Sequence, residues 1–348
     1  MLHLHTLWFV VIVFFWTGFF VLEGFDFGVG VLHVFIGRNR EERAEALESI
    51  GPFWDGNEVW LIVAGAATFA AFPSWYATMF SSLYLALLLV LAALMARGVA
   101  LEFRSKLDDP RWRRGWTWAT VGGSALVPLL VGVGLGDLLH GLPINSNHEF
   151  TGNFFDLLTP YGLWTGLTLL LLSLLHGATF LMLKTTGELR ERSATAARRL
   201  VWLAALAMLA FVIWTRAIAG PHFPSPLIAV AAIAVLAAPY LISTQQAGWA
   251  FATSAAGMAT AVVSIFVALY PNVMVSSTNA AYNLTVSNSS SAKYALTVMT
   301  VVAVVFLPLV LLYQGWSYHV FRSRIGRGNA PADPQAPPAA QATTEPAG

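Results

Sequence analysis

Apolar runs of about 18 to 30 residues, separated by polar stretches, dominate the chain; they fall at 7–36, 54–72, 76–103, 117–139, 160–186, 199–219, 226–243, 248–270 and 292–321. A helix of about 20 apolar residues covers the hydrocarbon core of a bilayer, so the pattern predicts nine transmembrane helices. Backbone groups in lipid must be satisfied within their own segment, and the period-two alternation of a membrane barrel is missing, so each run reads as a helix. Pro221, Pro224, Pro226 and Pro239 punctuate two short runs that read as separate helices. Between the first two runs, 39–50 (NREERAEALESI) reads as a surface helix with a solvated charged face. Loops 140–159 and 271–291 are long enough to carry structure of their own. The end of the chain is rich in Pro and Ala without apolar periodicity. The expectation is an all-α polytopic membrane protein, with one transmembrane domain over 1–325 and a disordered tail over 326–348.

Composition agrees. Hydrophobic residues make up 57% of the chain and charged residues 11%, against about 25% charged in a soluble domain, which excludes a soluble globular enzyme. A net charge of +1 excludes a nucleic-acid binder, and the absence of cysteine removes disulfides, thiolate metal sites, iron–sulfur clusters and thiol catalysis. Residues 1–6 (MLHLHT) lack the basic residues of a signal peptide, so the first run reads as a permanent span.

Charge placement predicts orientation. Arg38, Arg40 and Arg43 follow the first run; Arg104, Lys106, Arg111, Arg113 and Arg114 follow the third; Lys184, Arg190, Arg192, Arg198 and Arg199 follow the fifth; Arg322, Arg324 and Arg327 follow the ninth. Sixteen of the nineteen basic residues thus fall on one side, with Arg97 inside the third run toward that side and Arg216 and Lys293 opposite. The positive-inside rule makes that side cytoplasmic, with the N-terminus outside and the C-terminus inside. The loop after the seventh run should be cytoplasmic as well, although it carries no charge.

Five acids stand where lipid makes charge costly: Glu23 and Asp26 in the first helix, Asp55 and Glu58 at the start of the second, and Glu102 near the inner end of the third. An ionised group at membrane depth costs about 2.5–3.5 kcal/mol, so each must be paired, protonated or beside water. Glu23 and Asp26 are three residues apart, as are Asp55 and Glu58, so each pair shares a helix face. Gly24, Gly28 and Gly30 allow another helix to approach closely. The acids form either a proton-conducting intake open to the cytoplasm or a structural ion-pair network with Arg97 or Arg104. His33, His176 and His319 lie in or beside spans, where imidazoles can ligate haem, but no pair shares one depth. Asp108, Asp109, Asp137, Glu149 and Asp156 read as surface residues.

The strings GFDFGVGVLHVFIGRNREER, SIGPFWDGNEVWLIVAGAATFAAFP, EFRSKLDDPRWRRGW, FTGNFFDLLTPYGL, YPNVMVSSTNAAYNL and LTVMTVVAVVFLPLVLLYQGW run from the first helix to the ninth. Together they resemble subunit II of the cytochrome bd-type quinol oxidases, with the Ala-rich sixth to eighth helices departing from longer relatives. The resemblance implies two four-helix bundles plus one peripheral helix, and a homologous partner, subunit I, that carries haem b, haem d and the quinol site in a bacterial cytoplasmic membrane. The pair oxidises quinol, reduces dioxygen to water and builds a proton gradient. No catalytic residue or metal ligand is implied in this chain. A cytoplasmic proton path would run through Asp55, the aspartate of the WDGN motif, with Glu23, Asp26 and Glu102 at matching positions and Glu58 beside them. Trp60 matches a tryptophan near an apolar oxygen route. The resemblance leaves room for a structural quinone in this chain and for a small accessory subunit. On composition alone a proton-coupled secondary transporter fits equally, but it calls for inverted repeats and broken midplane helices, whereas these acids crowd toward one side. A purely structural scaffold for subunit I is the third reading.

Overall fold

A computed structural model describes residues 4–220 and 225–326. The chain runs through α1 (Leu4–Ile36), α2 (Arg40–Glu48), α3 (Trp54–Ala71), α4 (Pro73–Ser82), α5 (Tyr84–Phe103), α6 (Pro110–His140), α7 (Pro160–Lys184), α8 (Gly187–Ala219), α9 (Ser225–Ser243), α10 (Ala247–Leu269) and α11 (Lys293–Val320). Among the described residues eight helices are long and apolar enough to cross a membrane: α1, α5, α6, α7, α8, α9, α10 and α11. The run expected to be the second span is helix α3, which is not among the eight because its opening turns carry Asp55, Asn57 and Glu58. The surface helix expected over 39–50 is α2, capped by the Asn39 side chain accepting from Glu42 N at 2.9 Å. The expected tail lies outside the described residues beyond Gly326.

Three boundaries differ from the hydrophobic pattern. The run 76–103 is two helices, broken at Leu83 (φ −92°, ψ 11°). Ser81 and Ser82 Oγ both bond back to Thr78 O, at 3.1 and 2.6 Å, which offers that carbonyl an alternative to the helical ladder. Helix α6 starts at Pro110, a residue suited to a first turn because it has no N–H to satisfy, behind an Asp109 carboxylate that accepts from Arg111 N at 2.8 Å. Helix α8 starts at Gly187, ahead of the apolar run, because Arg190, Arg192, Arg198 and Arg199 are good helix formers that simply stand outside lipid.

Helix α1 is central and packs against α3, α6, α7 and α10. Its crossing with α7 requires glycine on both sides: a Cβ on Gly28 would lie 2.0 Å from Ser173 O, and one on Gly177 2.4 Å from Gly28 C. The α6–α7 crossing repeats the device with Gly132 and Gly136 against Gly166 and Gly162, the small-xxx-small spacing by which membrane helices gain contact. Helix α11 is peripheral, with Leu296 its one buried residue. It is fastened at one end by Trp8 Nε1, which donates to Leu296 O at 3.1 Å and Thr300 Oγ1 at 3.0 Å.

The two long loops do carry structure, and they knit together. Strands β1 (Asn272–Met274) and β2 (Leu284–Thr285) pair antiparallel. Leu142 N donates to Val275 O at 3.0 Å, Ser277 N to Leu142 O at 2.9 Å and Ser276 Oγ to Ile144 O at 3.0 Å.

Candidate functional site

Polar groups converge where α1, α3, α5 and α11 meet. Glu23 and Asp26 of α1, Asn57 of α3 and Arg97 of α5 are all fully buried. Arg97 pairs with Glu23 through Nη1, and the same nitrogen lies 3.4 Å from Glu58 Oε2. The rings of Phe27 and Trp54 stand 5.0 and 5.9 Å from the guanidinium carbon, supplying cation–π contact where water is excluded. Arg97 Nε and Nη2 and Asp26 Oδ1 have no hydrogen-bond partner among the described residues.

Asn57 organises the other half of the cluster. Its amide nitrogen donates to Asp26 Oδ2 at 2.7 Å and Leu22 O at 3.1 Å, and its Oδ1 accepts from Gln314 Nε2 at 3.0 Å and Tyr318 OH at 2.9 Å. Two donors and two acceptor positions are all an amide has, so this side chain is fully satisfied and fixed in orientation. The same bonds fasten the inner part of α11 to α1 and α3. Tyr318 is also stacked on Phe53, with ring centroids 4.5 Å apart.

Of the five acids singled out in the sequence, the fold therefore brings together Glu23, Asp26 and Glu58. Asp55 and Glu102 are exposed on this chain. Between the two candidate cations, Arg97 is the partner; Arg104 lies beyond the end of α5 and pairs with none of the acids. Asn57, Gln314 and Tyr318 went unnoticed as site residues. The available signals were an amide two residues after Asp55 and a lone glutamine inside an otherwise apolar helix. Asp137, read as a surface residue, is a correction: it is fully buried in α6, its Oδ1 accepting from Thr159 Oγ1 at 2.5 Å while Oδ2 has no partner among the described residues. Trp60 is buried against Phe14 and Phe15, ring centroids 5.7 and 6.1 Å away, and lies over Gly18, where a Cβ would come within 2.3 Å of the indole.

Two of the histidines in the spans, His33 and His176, are buried. His176 Nε2 donates to Val21 O at 3.1 Å, which leaves Nδ1 to accept from Ser254 Oγ at 2.7 Å, and its ring is stacked 4.4 Å from Phe251. Both ring nitrogens are thus engaged. His33 Nδ1 donates to Gly30 O at 2.8 Å while its buried Nε2 has no partner among the described residues, and His319 is exposed. No group of three or more His, Asp or Glu positioned for a metal ion occurs among the described residues. A cleft of about 730 Å³ lies beside the break at Leu83, walled by apolar residues of α3, α4, α5 and α6 such as Leu61, Phe80 and Leu87.

A sequence profile described as cytochrome bd terminal oxidase subunit II matches residues 4–321. The chain belongs to the cytochrome bd terminal oxidase subunit II family. It is 42% identical over 333 residues to cytochrome bd ubiquinol oxidase subunit 2 of Bacillus subtilis, an alignment covering 93% of this chain and 98% of that one. It is 38% identical over 362 residues to cytochrome bd-I ubiquinol oxidase subunit 2 of Escherichia coli K12, covering 92% and 95%. Its fold is similar to a chain of the bd oxidase from Geobacillus thermodenitrificans, with a TM-score of 0.72 at 17% identity over 91% of this chain and 98% of that one. This member of the family is a multi-pass bacterial membrane protein and a subunit of a terminal oxidase, an oxidoreductase complex that contains haem and a partner subunit I. The likenesses give no support to the transporter that composition left open.

Proposed function

We propose that the acids of α1 and α3 form a cytoplasmic proton intake serving dioxygen reduction in subunit I, and that this chain otherwise scaffolds that subunit. The observation that carries the reading is a gradient of burial. Asp55 is exposed, the Glu58 side chain is 24% exposed, and Glu23 and Asp26 are fully buried. A proton arriving at Asp55 has Glu58 three residues further along α3; the Arg97 guanidinium, which keeps its own protons, draws Glu58 and Glu23 together, and Asp26 lies three residues from Glu23 along α1, so the carriers are the carboxyls. Three carboxyls face one guanidinium there. In an apolar setting charge balance is met when two of the three hold protons, which is what a relay needs. Glu102, exposed at the end of α5, belongs to the rim of the same intake.

Haem b and haem d, which supply the redox chemistry at oxygen when bound, belong in this reading to the partner; what supports it is that both nitrogens of His176 are taken and that His319 is exposed, which leaves His33 Nε2 as the single buried imidazole nitrogen without a partner among the described residues. Quinol and dioxygen are then substrates of the pair: protons drawn from the cytoplasm are consumed in forming water, and quinol's own protons are released outside as it is oxidised. The reading includes nine crossings with α3 as the ninth, and two four-helix groups (α1, α3, α5 and α6; α7 to α10) with α11 peripheral, supported by the packing of α1 on α3 and α6 and of α7 on α8 and α10. The apolar cleft at Leu83 suits a structural quinone, and Trp60 suits the wall of an oxygen route.

Asp55→Asn tests the intake. The variant is expected to assemble with unchanged haem absorbance and to consume oxygen more slowly, about tenfold or more, if the carboxylate acts as a general acid and base. The deficit grows as pH rises and protons become scarce. Unchanged oxygen consumption across that range in a fully assembled variant overturns the reading.

A further inference from the structure

A cleft of about 630 Å³ opens where α1 ends, between α2, the α5–α6 turn and the first turns of α6. Arg40, Arg43, Arg104, Arg113 and Arg114 line it. Asp108 is 3.2 Å from Arg40 and also pairs with Arg113, so one carboxylate answers two of the five cations. Arg43 Nε donates to Gly37 O at 3.0 Å, a bond that leaves its charge uncompensated. Arg104 and Arg114 have neither an ion-pair nor a hydrogen-bond partner among the described residues, and Arg113 Nε is buried without an acceptor. The Arg104 guanidinium is held below its ordinary value by burial and then by the charges of Arg40 and Arg43. Such crowding is relieved by an anion in the cleft. Helices α2 and α6 both begin here, adding the partial positive charge of their first turns.

The remaining wall is apolar. Val34, Phe35 and Trp118 complete the lining, and Phe35 and Trp118 are 70% and 53% exposed. They stand near the ends of α1 and α6, two helices that span the bilayer. A free inorganic anion has no use for such a wall. A molecule with a phosphate at one end and hydrocarbon at the other matches both kinds of surface, and basic pockets at the cytoplasmic ends of membrane helices are suited to anionic headgroups.

We infer that this cleft holds the phosphodiester headgroup of an anionic phospholipid, with its acyl chains lying along Phe35 and Trp118. The inference depends on the membrane spans and is independent of the proton intake.

The test uses the whole oxidase complex in dodecyl maltoside, titrated with phosphatidylglycerol and followed by native mass spectrometry. R104Q/R114Q is expected to bind one phosphatidylglycerol about 30-fold more weakly, each arginine near a membrane surface contributing a similar share. R114Q alone, at an exposed position that cannot disturb folding, is expected to give an intermediate loss. R198Q/R199Q, which removes the same charge from α8 outside the cleft, is expected to bind as wild type, and phosphatidylcholine to bind weakly throughout. The following results overturn the inference. One is unchanged phosphatidylglycerol binding in R104Q/R114Q, or an equal loss in R198Q/R199Q. Another is displacement of the lipid by equimolar inorganic phosphate, which makes the cleft a simple anion site. The last is lipid binding that begins only after subunit I has been removed, which makes the cleft a protein contact.

Discussion

Arg97 is shut off from bulk solvent. Its side chain is fully buried, and its charge is answered by Glu23, by Glu58 at 3.4 Å and by the faces of Phe27 and Trp54. Removing one partner of a buried ion pair strands the other, at a cost of about 3–5 kcal/mol, whereas the pair as a whole contributes little net stability. Arg97→Leu is therefore expected to lower the thermal midpoint of the purified complex sharply or to abolish assembly. Arg97→Leu combined with Glu23→Leu should recover part of the loss, since the fully buried partner leaves with the arginine, while Glu58 keeps some exposure and Asp26 keeps the Asn57 amide. A single variant as stable as wild type contradicts the assignment. Glu102→Gln, at an exposed position, should stay within about 0.5 kcal/mol of wild type. The acids themselves were legible because charge in an apolar run is conspicuous. The residues that organise them were not: Asn57 and Tyr318 are ordinary at a helix start and a membrane interface, and only the approach of α11 to α3 turns them into a network.

Among elements, the spanning helices were legible because lipid selects for long apolar runs, yet hydrophobicity reports where lipid is and says nothing of where a helix begins. That is why α8 extends through four arginines and why the break at Leu83, written in two serine hydroxyls, left no mark on the pattern. Helix α2 is held by a tie of similar subtlety. Glu42 pairs with Arg192 of α8 at 2.6 Å and accepts from Arg38 N at 2.7 Å, while Arg192 Nε donates to Ile36 O at the end of α1 at 2.9 Å. The hydrogen bond from Arg192 holds the Glu42 carboxyl below its ordinary value of 4.5, burial opposing it. A carboxylate whose value falls on folding contributes stability above its ordinary range and loses that contribution as pH falls through the folded value. Protection factors for amide hydrogen exchange over 38–48, taken against the intrinsic rate at each pH, should thus be high at neutral pH and fall once pH drops below about 4.5. In Glu42→Gln the segment should exchange faster at neutral pH and show a flatter profile. Identical profiles for the two proteins rule out the tie as what orders α2.

At the scale of the whole molecule, charge placement and the fold make the same division between two ends. Arg40 reaches Asp108, Arg192 reaches Glu42, and Ile325 N donates to Lys184 O at 2.7 Å, so the segments after α1, α5, α7 and α11 meet at one end. The uncharged loop after α9 belongs there too, because Ala247 packs with Met182 and Ala194. At the other end Ser291 N donates to Ala71 O at 2.8 Å, Thr78 Oγ1 to His148 O at 3.0 Å and Val275 N to Leu138 O at 3.0 Å. The sequence assigns sixteen of its nineteen basic residues to the segments of the first end, and by the positive-inside rule we propose that this end is the cytoplasmic one. Because the chain contains no cysteine, single cysteines can report sidedness without background. Thr244→Cys, in the exposed uncharged loop, should resist a membrane-impermeant maleimide in spheroplasts and react once the membrane is opened. Ser287→Cys, exposed at the other end, should react in both conditions. The reverse pattern would invert the molecule and place Asp55, Glu58 and the arginine-lined cleft on the outer face, removing the cytoplasmic intake while leaving the helix packing intact.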